Sequence, residues 1–176
     1  MGVLTEFVKS EAAHLRGELD RRAGERQRWQ EAILRLNEQL SQWVKDADSN
    51  HGLLAVSPTI EFTRQEALLG VYSINGISVT LGGRLNGRSA DVIPRARYVA
   101  ASIKPPGEES RRADGMVEIK GDAGAEYYLF RRAEPSLDQD RWFIQSADEW
   151  NSDTGYGRVD PLNRESFEAA ILQILQ

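Results

Sequence analysis

Between residues 3 and 47 the apolar positions recur at alternating intervals of three and four. They are Val8, Ala12, Leu15 and Leu19, then, after a gap, Trp29, Ile33, Leu36, Leu40, Trp43 and Ala47. This is the a/d seam of a heptad repeat, and with no proline in the stretch it predicts a long amphipathic helix. The phase carries across the gap, where Arg22 and Arg26 hold the two missing seam positions. Glu18 with Arg22, and Glu31 with Arg35, stand in the acid-first i,i+4 order that favours helix.

Length makes this segment informative. A continuous helix of about 45 residues is roughly 68 Å long at 1.5 Å per residue. The remaining residues would form a body only about 36 Å across, so part of the seam would lie beyond the body. Either the helix folds back as a hairpin near Gly24, or it stays straight and its free part is covered by another chain. Gly24 costs about 1 kcal/mol in a helix interior, which favours a break. A hairpin has no reason to keep the heptad phase across its turn, and the surroundings lack a cluster of turn residues, which favours the continuous helix.

After Asp48-Ser49-Asn50-His51-Gly52, a helix stop, the periodicity changes to two. Leu53–Ser57 and Thr59–Thr63 are short extended runs. Ala67–Ile74 and Ile77–Leu85 flank Asn75-Gly76, a strong signal for a two-residue hairpin turn. Asn86-Gly87 marks a further turn. Arg95–Ile103 alternates as a strand with one face on the core. Lys104–Asp114 reads as an exposed loop. Met116–Lys120, Glu126–Arg132 and Arg141–Ser146 form a three-strand meander. Asp160-Pro161 supplies an N-cap and first position for a last helix with Leu162, Phe167, Ala170, Ile171, Ile174 and Leu175 as its apolar stripe. The expected fold class is therefore α+β. It has a long N-terminal helix, a mostly antiparallel sheet of six to eight strands, and a short C-terminal helix on the same layer. Residues 1–50 and 51–176 are expected to form one structural unit.

Composition narrows the possibilities. The chain has 176 residues and no cysteine, so disulfides, thiolate metal sites and thiol nucleophiles are absent from its chemistry. No signal peptide is readable in Met1–Phe7 and no membrane span follows, so a cytoplasmic location is expected. A lipidation signal on Gly2 would need Ser or Thr at position 6, where Glu6 stands. The net charge of −5 is uneven. Arg84, Arg88, Arg95, Arg97, Lys104, Arg111 and Arg112 give residues 84–112 a charge of +4, and residues 113–176 carry −7. Mutual complementation within the fold is the simplest reading of that asymmetry. An acidic chain is a poor nucleic-acid binder, so no nucleic-acid partner is expected.

The chemical motifs are weak. His14 and His51 lie outside any nucleophile–base context. Asp46-Ala47-Asp48-Ser49-Asn50 opens like a calcium loop, but His51 replaces its glycine and Ser57 its glutamate. Glu134, Asp138, Asp140, Asp148, Glu149 and Asp153 fall in expected loops, where carboxylates are usually solvated. Gly82-Gly83-Arg84 and Asn86-Gly87-Arg88 lack a phosphate-loop lysine. No catalytic residue, cofactor or metal is expected. Trp29 and Trp43 on the seam, with Trp142 and Trp150 around the last strand, are core candidates.

The sequence leans away from an enzyme and favours a protein–protein interaction or assembly module. It would dock on another protein, or dimerise, through Leu15, Leu19, Trp29, Ile33, Leu36, Leu40 and Trp43. The alternative is a pocket for an anionic small molecule between sheet and helix, lined by Tyr72, Tyr98 and Tyr128, with Arg95 or Arg97 meeting the charge.

Overall fold

The computed structural model describes residues 2–82, 87–122, 124–134, 136, 139–149 and 156–176. Helix α1 (Val3–Asp48) runs unbroken for 46 residues, about 69 Å at 1.5 Å per residue. Gly24 lies inside it with open space around its Cα. The chain therefore takes the continuous helix and not the hairpin. Its second half buries Trp29, Ile33, Leu36, Leu40 and Val44 against the sheet. Each such side chain contributes about 1.5–3 kcal/mol of transfer free energy as an upper estimate. Trp43 is only half-buried and Ala47 is exposed. A straight helix drifts by about 20° per heptad from a 3.5-residue repeat, so by the last turns Val44 has moved into the place expected for Trp43 and Ala47.

Asp48 ends the helix. Its carboxylate accepts the N–H groups of Gly52, Leu53 and Leu54 at 2.7, 2.8 and 3.0 Å. These bonds, the one from Leu54 first, hold the carboxyl below its ordinary range. Strands β1 (Leu54–Glu66) and β2 (Gly70–Leu81) follow, then β3 (Ser89–Ala96), β4 (Ser102–Lys104), β5 (Arg111–Arg112) and β6 (Met116–Gly121). After them come β7 (Gly124–Glu134), β8 (Gln139–Ser146), β9 (Tyr156–Arg158), β10 (Asp160–Pro161) and helix α2 (Arg164–Leu175). The main sheet has seven strands in the order β1-β2-β3-β6-β7-β8-β10, with antiparallel neighbours throughout. Both helices lie on one face and share one core with it, so the α+β class holds. Among the described residues no helix is long and apolar enough to cross a membrane.

Four local expectations are corrected. Asn75-Gly76 is not a turn but the middle of β2, and neither residue has a positive φ. The hairpin closes at Ala67-Leu68-Leu69, where Leu69 N–H donates to the Glu66 carbonyl at 3.1 Å. Gly76 serves a close approach. A Cβ there would fall on the Val92 carbonyl oxygen and within 2.9 Å of the Phe62 ring. The inward alternation changes phase at this point: Tyr72 and Ile74 before it and Ile77 and Val79 after it all reach the same core. A matching register shift occurs in β1 between Ser57 and Ile60, the signature of a β-bulge.

The run 95–103 is not one strand. Residues 89–96 form β3, for which the pattern gave no sign, and the chain then leaves the main sheet. Strands β5-β4-β9 make a second, three-stranded sheet. Its neighbourhood buries Val99, Ala101 and Ile103 with Phe130 and Phe143 in a second core cluster. Phe130 and Phe143 alternate with Leu129 and Ile144, which belong to the helix-side core, so this cluster lies on the opposite face. The loop expected at 104–114 contains the short strand β5. Finally, α2 begins at Arg164, with Asn163 as N-cap in a reciprocal pair with Ser166. Asp160–Pro161 forms the edge strand β10 instead, a position where proline's missing N–H is tolerated. The Asn86-Gly87 turn and Trp150 involve positions outside the described residues.

The two glycines should respond in opposite directions. Gly76→Ala should lower unfolding free energy by about 1–3 kcal/mol in urea denaturation, as overpacking does. Gly24→Ala, in open space, should leave stability unchanged or raise it by up to about 1 kcal/mol. Equal tolerance at the two positions would contradict the close approach at Gly76.

Candidate functional site

Residues 3–23 of α1 project. All are exposed except the half-exposed Ala12 and Glu18. This stretch of 21 residues is about 32 Å long. It carries Leu4, Phe7, Val8, Leu15 and Leu19, with Leu15 at 59% and Leu19 at 62% exposure. These large apolar groups have no core of their own. A helix of this length without packing is marginal in water, so the projecting half depends on propagation from the docked half.

The docked half starts at a charged root. Glu25 meets Arg97 at 3.2 Å and is hydrogen-bonded by Arg28. Burial acts to raise the Glu25 carboxyl, but the Arg28 bond and the charge of Arg97 outweigh it and hold it below its ordinary value. Arg26 donates to the Leu69 carbonyl at 3.3 Å. One turn on, Trp29 presses on Gly115, where a Cβ would lie 2.5 Å from the indole ring. Trp142 lies tilted beside the Trp29 ring, 6.3 Å between centroids, and the Arg131 guanidinium lies 6.0 Å from that ring. Arg131 is buried, which lowers its pKa, and Asp140 opposes that shift through an ion pair at 2.6 Å. Asp140 also takes Arg35 of α1 at 2.8 Å. One carboxylate therefore ties the helix to β7 through two guanidinium groups.

The positions singled out in the sequence separate into two groups. Trp29, Ile33, Leu36 and Leu40 are covered by the chain's own sheet, and Trp43 packs on Phe167 at 5.8 Å between ring centroids. None of the first four is available to another molecule, so an interface on α1 reduces to Leu15 and Leu19 and their projecting neighbours. Leu4 and Phe7 belong with them but sit off the strict seam, which is why a heptad count passed them over. The two arginines considered for an anionic ligand already have internal partners. Arg95 pairs with the buried Glu118. Arg97 holds Glu25 and donates to the Asp114 carbonyl at 2.9 Å.

The three tyrosines do not line one pocket. Tyr72 lies in the helix-side core and donates to the Glu66 carboxylate; burial and that bond push its pKa up. Tyr128 packs on Phe130 in a tilted pair, 6.2 Å between ring centroids, on the opposite face. Tyr98 lies outside both, with the Arg97 guanidinium 4.9 Å from its ring. The Glu66 carboxylate, missed in the sequence, also receives the N–H groups of Arg97 and Tyr98 at 3.0 and 2.9 Å. His14 and His51 are exposed. Asp46 accepts from Gln42 at 2.7 Å and Asp48 closes the helix exit, so capping and turn formation account for that stretch. Glu134 meets Arg111 at 3.2 Å; Asp148 and Glu149 are exposed; Asp138 and Asp153 lie outside the described residues. Among the described residues no group of three His, Asp or Glu is placed to hold a metal ion.

Clefts border both ends of the docked half. One of about 470 Å³ at the root is lined by Glu25, Arg28, Arg35, Arg97, Arg131 and Asp140. A second, about 730 Å³, runs beside α1 along Gln30, Leu34, Asn37, Ser41 and Ser73. A third, about 520 Å³ and mostly apolar, lies between the end of α1 and α2 against Val44, Leu54, Phe167 and Ile171. With Glu31 and Glu134 also in its lining, the root cleft holds four arginines and four carboxylates, so its charges balance.

Two contrasts test this division. Leu36→Asp buries an unpaired charge and should cost several kcal/mol or unfold the chain. Leu15→Asp should change thermal stability by no more than about 0.5 kcal/mol. Asp140→Ala, which strands Arg131 and releases Arg35, should cost about 3–5 kcal/mol in denaturant, against less than about 1 kcal/mol for Glu18→Ala at the exposed pair with Arg21. A large loss from Leu15→Asp in the dilute chain would contradict the projecting half. No family model matches the chain, and no match was found among curated proteins or solved structures.

Proposed function

We propose that this chain is a non-catalytic interaction module that docks onto another protein through the projecting half of α1. The observation that carries the reading is the exposed apolar stripe of residues 3–23, rooted on a helix whose remainder is firmly packed. Exposed apolar surface of this extent and order is what interaction sites display. The root gives the stripe a defined direction, because Glu25, Arg35 and Trp29 fix the helix where it leaves the body. A preorganised helix binds with less ordering entropy than a disordered tail, and helix-face docking uses anchors at three- and four-residue intervals. Val8, Ala12, Leu15 and Leu19 have that spacing.

The test is the native mass of the tagged full chain recovered gently from its own cells. The wild type should run above the 19.7 kDa of a single chain. Leu15→Asp/Leu19→Asp should return it to monomer mass while leaving the melting temperature unchanged. A wild type that runs as a monomer would remove the reading, as would an assembly that survives the double substitution.

A further inference from the structure

The heptad seam of α1 orders the charges beside the exposed stripe. With Val8, Ala12, Leu15 and Leu19 on the seam, Lys9 and Arg16 follow it on one flank and Glu11 and Glu18 precede it on the other. Resting on the docking reading above, this pattern bears on what can cover the stripe. A second copy in parallel would pair Glu11 with the other chain's Arg16, a favourable contact. However, the seam continues into Trp29, Ile33, Leu36 and Leu40, which the chain's own sheet covers. A parallel copy in phase would have to run its own buried half into that sheet.

An antiparallel copy avoids the collision but meets two faults. Seam residues would pair Val8 with Leu19 and Ala12 with Leu15, so every leucine faces a smaller side chain, and Thr5 would face Arg22. The flanks would place Lys9 beside Arg16 and Glu11 beside Glu18, each a like-charge contact of the kind that specifies against a partner. A membrane surface is also a poor fit. Acidic and basic residues balance over residues 3–23, whereas helices lying on membranes carry an excess of Lys and Arg.

We propose that the occupant is a single amphipathic helix of a different protein, about three heptads long. It carries large apolar residues opposite Ala12 and both signs of charge on its flanks, so that acid lies along Lys9 and Arg16 and base along Glu11 and Glu18. Specificity comes from the flanks, and contact area from the stripe.

The purified full-length chain should sediment as a monomer at micromolar concentration, and a stable homodimer would overturn the proposal. Two labelled synthetic helices with leucine seams then serve as probes, each present in trace so that it stays monomeric. One carries Glu on one flank and Lys on the other; the second carries Glu on both. Fluorescence anisotropy should show the mixed-flank helix binding about tenfold more tightly, with loss of binding in Leu15→Asp/Leu19→Asp. Equal binding of the two probes, or binding of neither, would overturn the charge-matched partner, as would a preference for anionic vesicles. In each of those cases the mass of the assembly recovered from cells decides the docking reading separately.

Discussion

The structure depends on one contact: the face of α1 formed by Trp29, Ile33, Leu36 and Leu40 lying on the antiparallel sheet. These four side chains are almost fully removed from water, and the helix-side core has no comparable cover without them, since α2 supplies only the other part of that layer. The contact also sets the direction of everything N-terminal to it. A helix is stiff over a few turns, so where residues 25–44 lie determines where residues 3–23 point. Gly115 matters for the same reason, because only its missing side chain lets the Trp29 indole approach the β6 edge so closely. The Arg35–Asp140 ion pair adds a polar tie between the helix and β8 beside this contact, and Arg131 shares the same carboxylate.

The charge asymmetry along the chain has a structural outlet. Arg95 pairs with Glu118, Arg97 lies 3.8 Å from Asp114, and Arg111 meets Glu134. Each joins the basic stretch to the acidic part of the chain. Most of these pairs are partly exposed and individually weak. Their effect is to give Arg95, Arg97 and Arg111 each a local carboxylate.

What was legible in the sequence was what a single periodicity governs. The long helix, the meander of β6, β7 and β8 and the α+β class follow from periods of 3.5 and 2 sustained over many residues. The failures occur where two signals share one residue. Glycine after asparagine marks a turn when the backbone needs positive φ, and marks a close approach when a neighbouring carbonyl needs the space; only three dimensions separate Gly76 from the first case. Arg95–Ile103 alternates correctly between inward and outward residues, yet alternation does not say which sheet a strand joins, and the chain changes sheets within that run. Asp160-Pro161 resembles a helix start because proline suits both a first helical turn and an edge strand. In the candidate site, Leu15 and Leu19 were legible as seam residues. Glu66 and Asp140 were not, because the partners of a carboxylate are far away in sequence.

The heptad seam itself carries the deepest ambiguity. From Val8 to Leu40 the pattern is one pattern, and nothing in it distinguishes a half that meets its own sheet from a half that meets solvent. The distinction comes from size. A sheet of seven strands spaced about 4.8 Å apart is roughly 30 Å wide, and a helix of 46 residues crossing a body of that scale must leave a substantial part beyond it. Selection for folding alone would favour polar residues on the overhang, since exposed leucines contribute nothing to a core and promote aggregation. The overhang nonetheless continues the seam and places basic residues on one flank and acidic residues on the other. Under the proposed docking role the same residues serve twice: they form an apolar edge for contact and a charge pattern that penalises antiparallel self-pairing. A helix kept only to complete the fold would need neither.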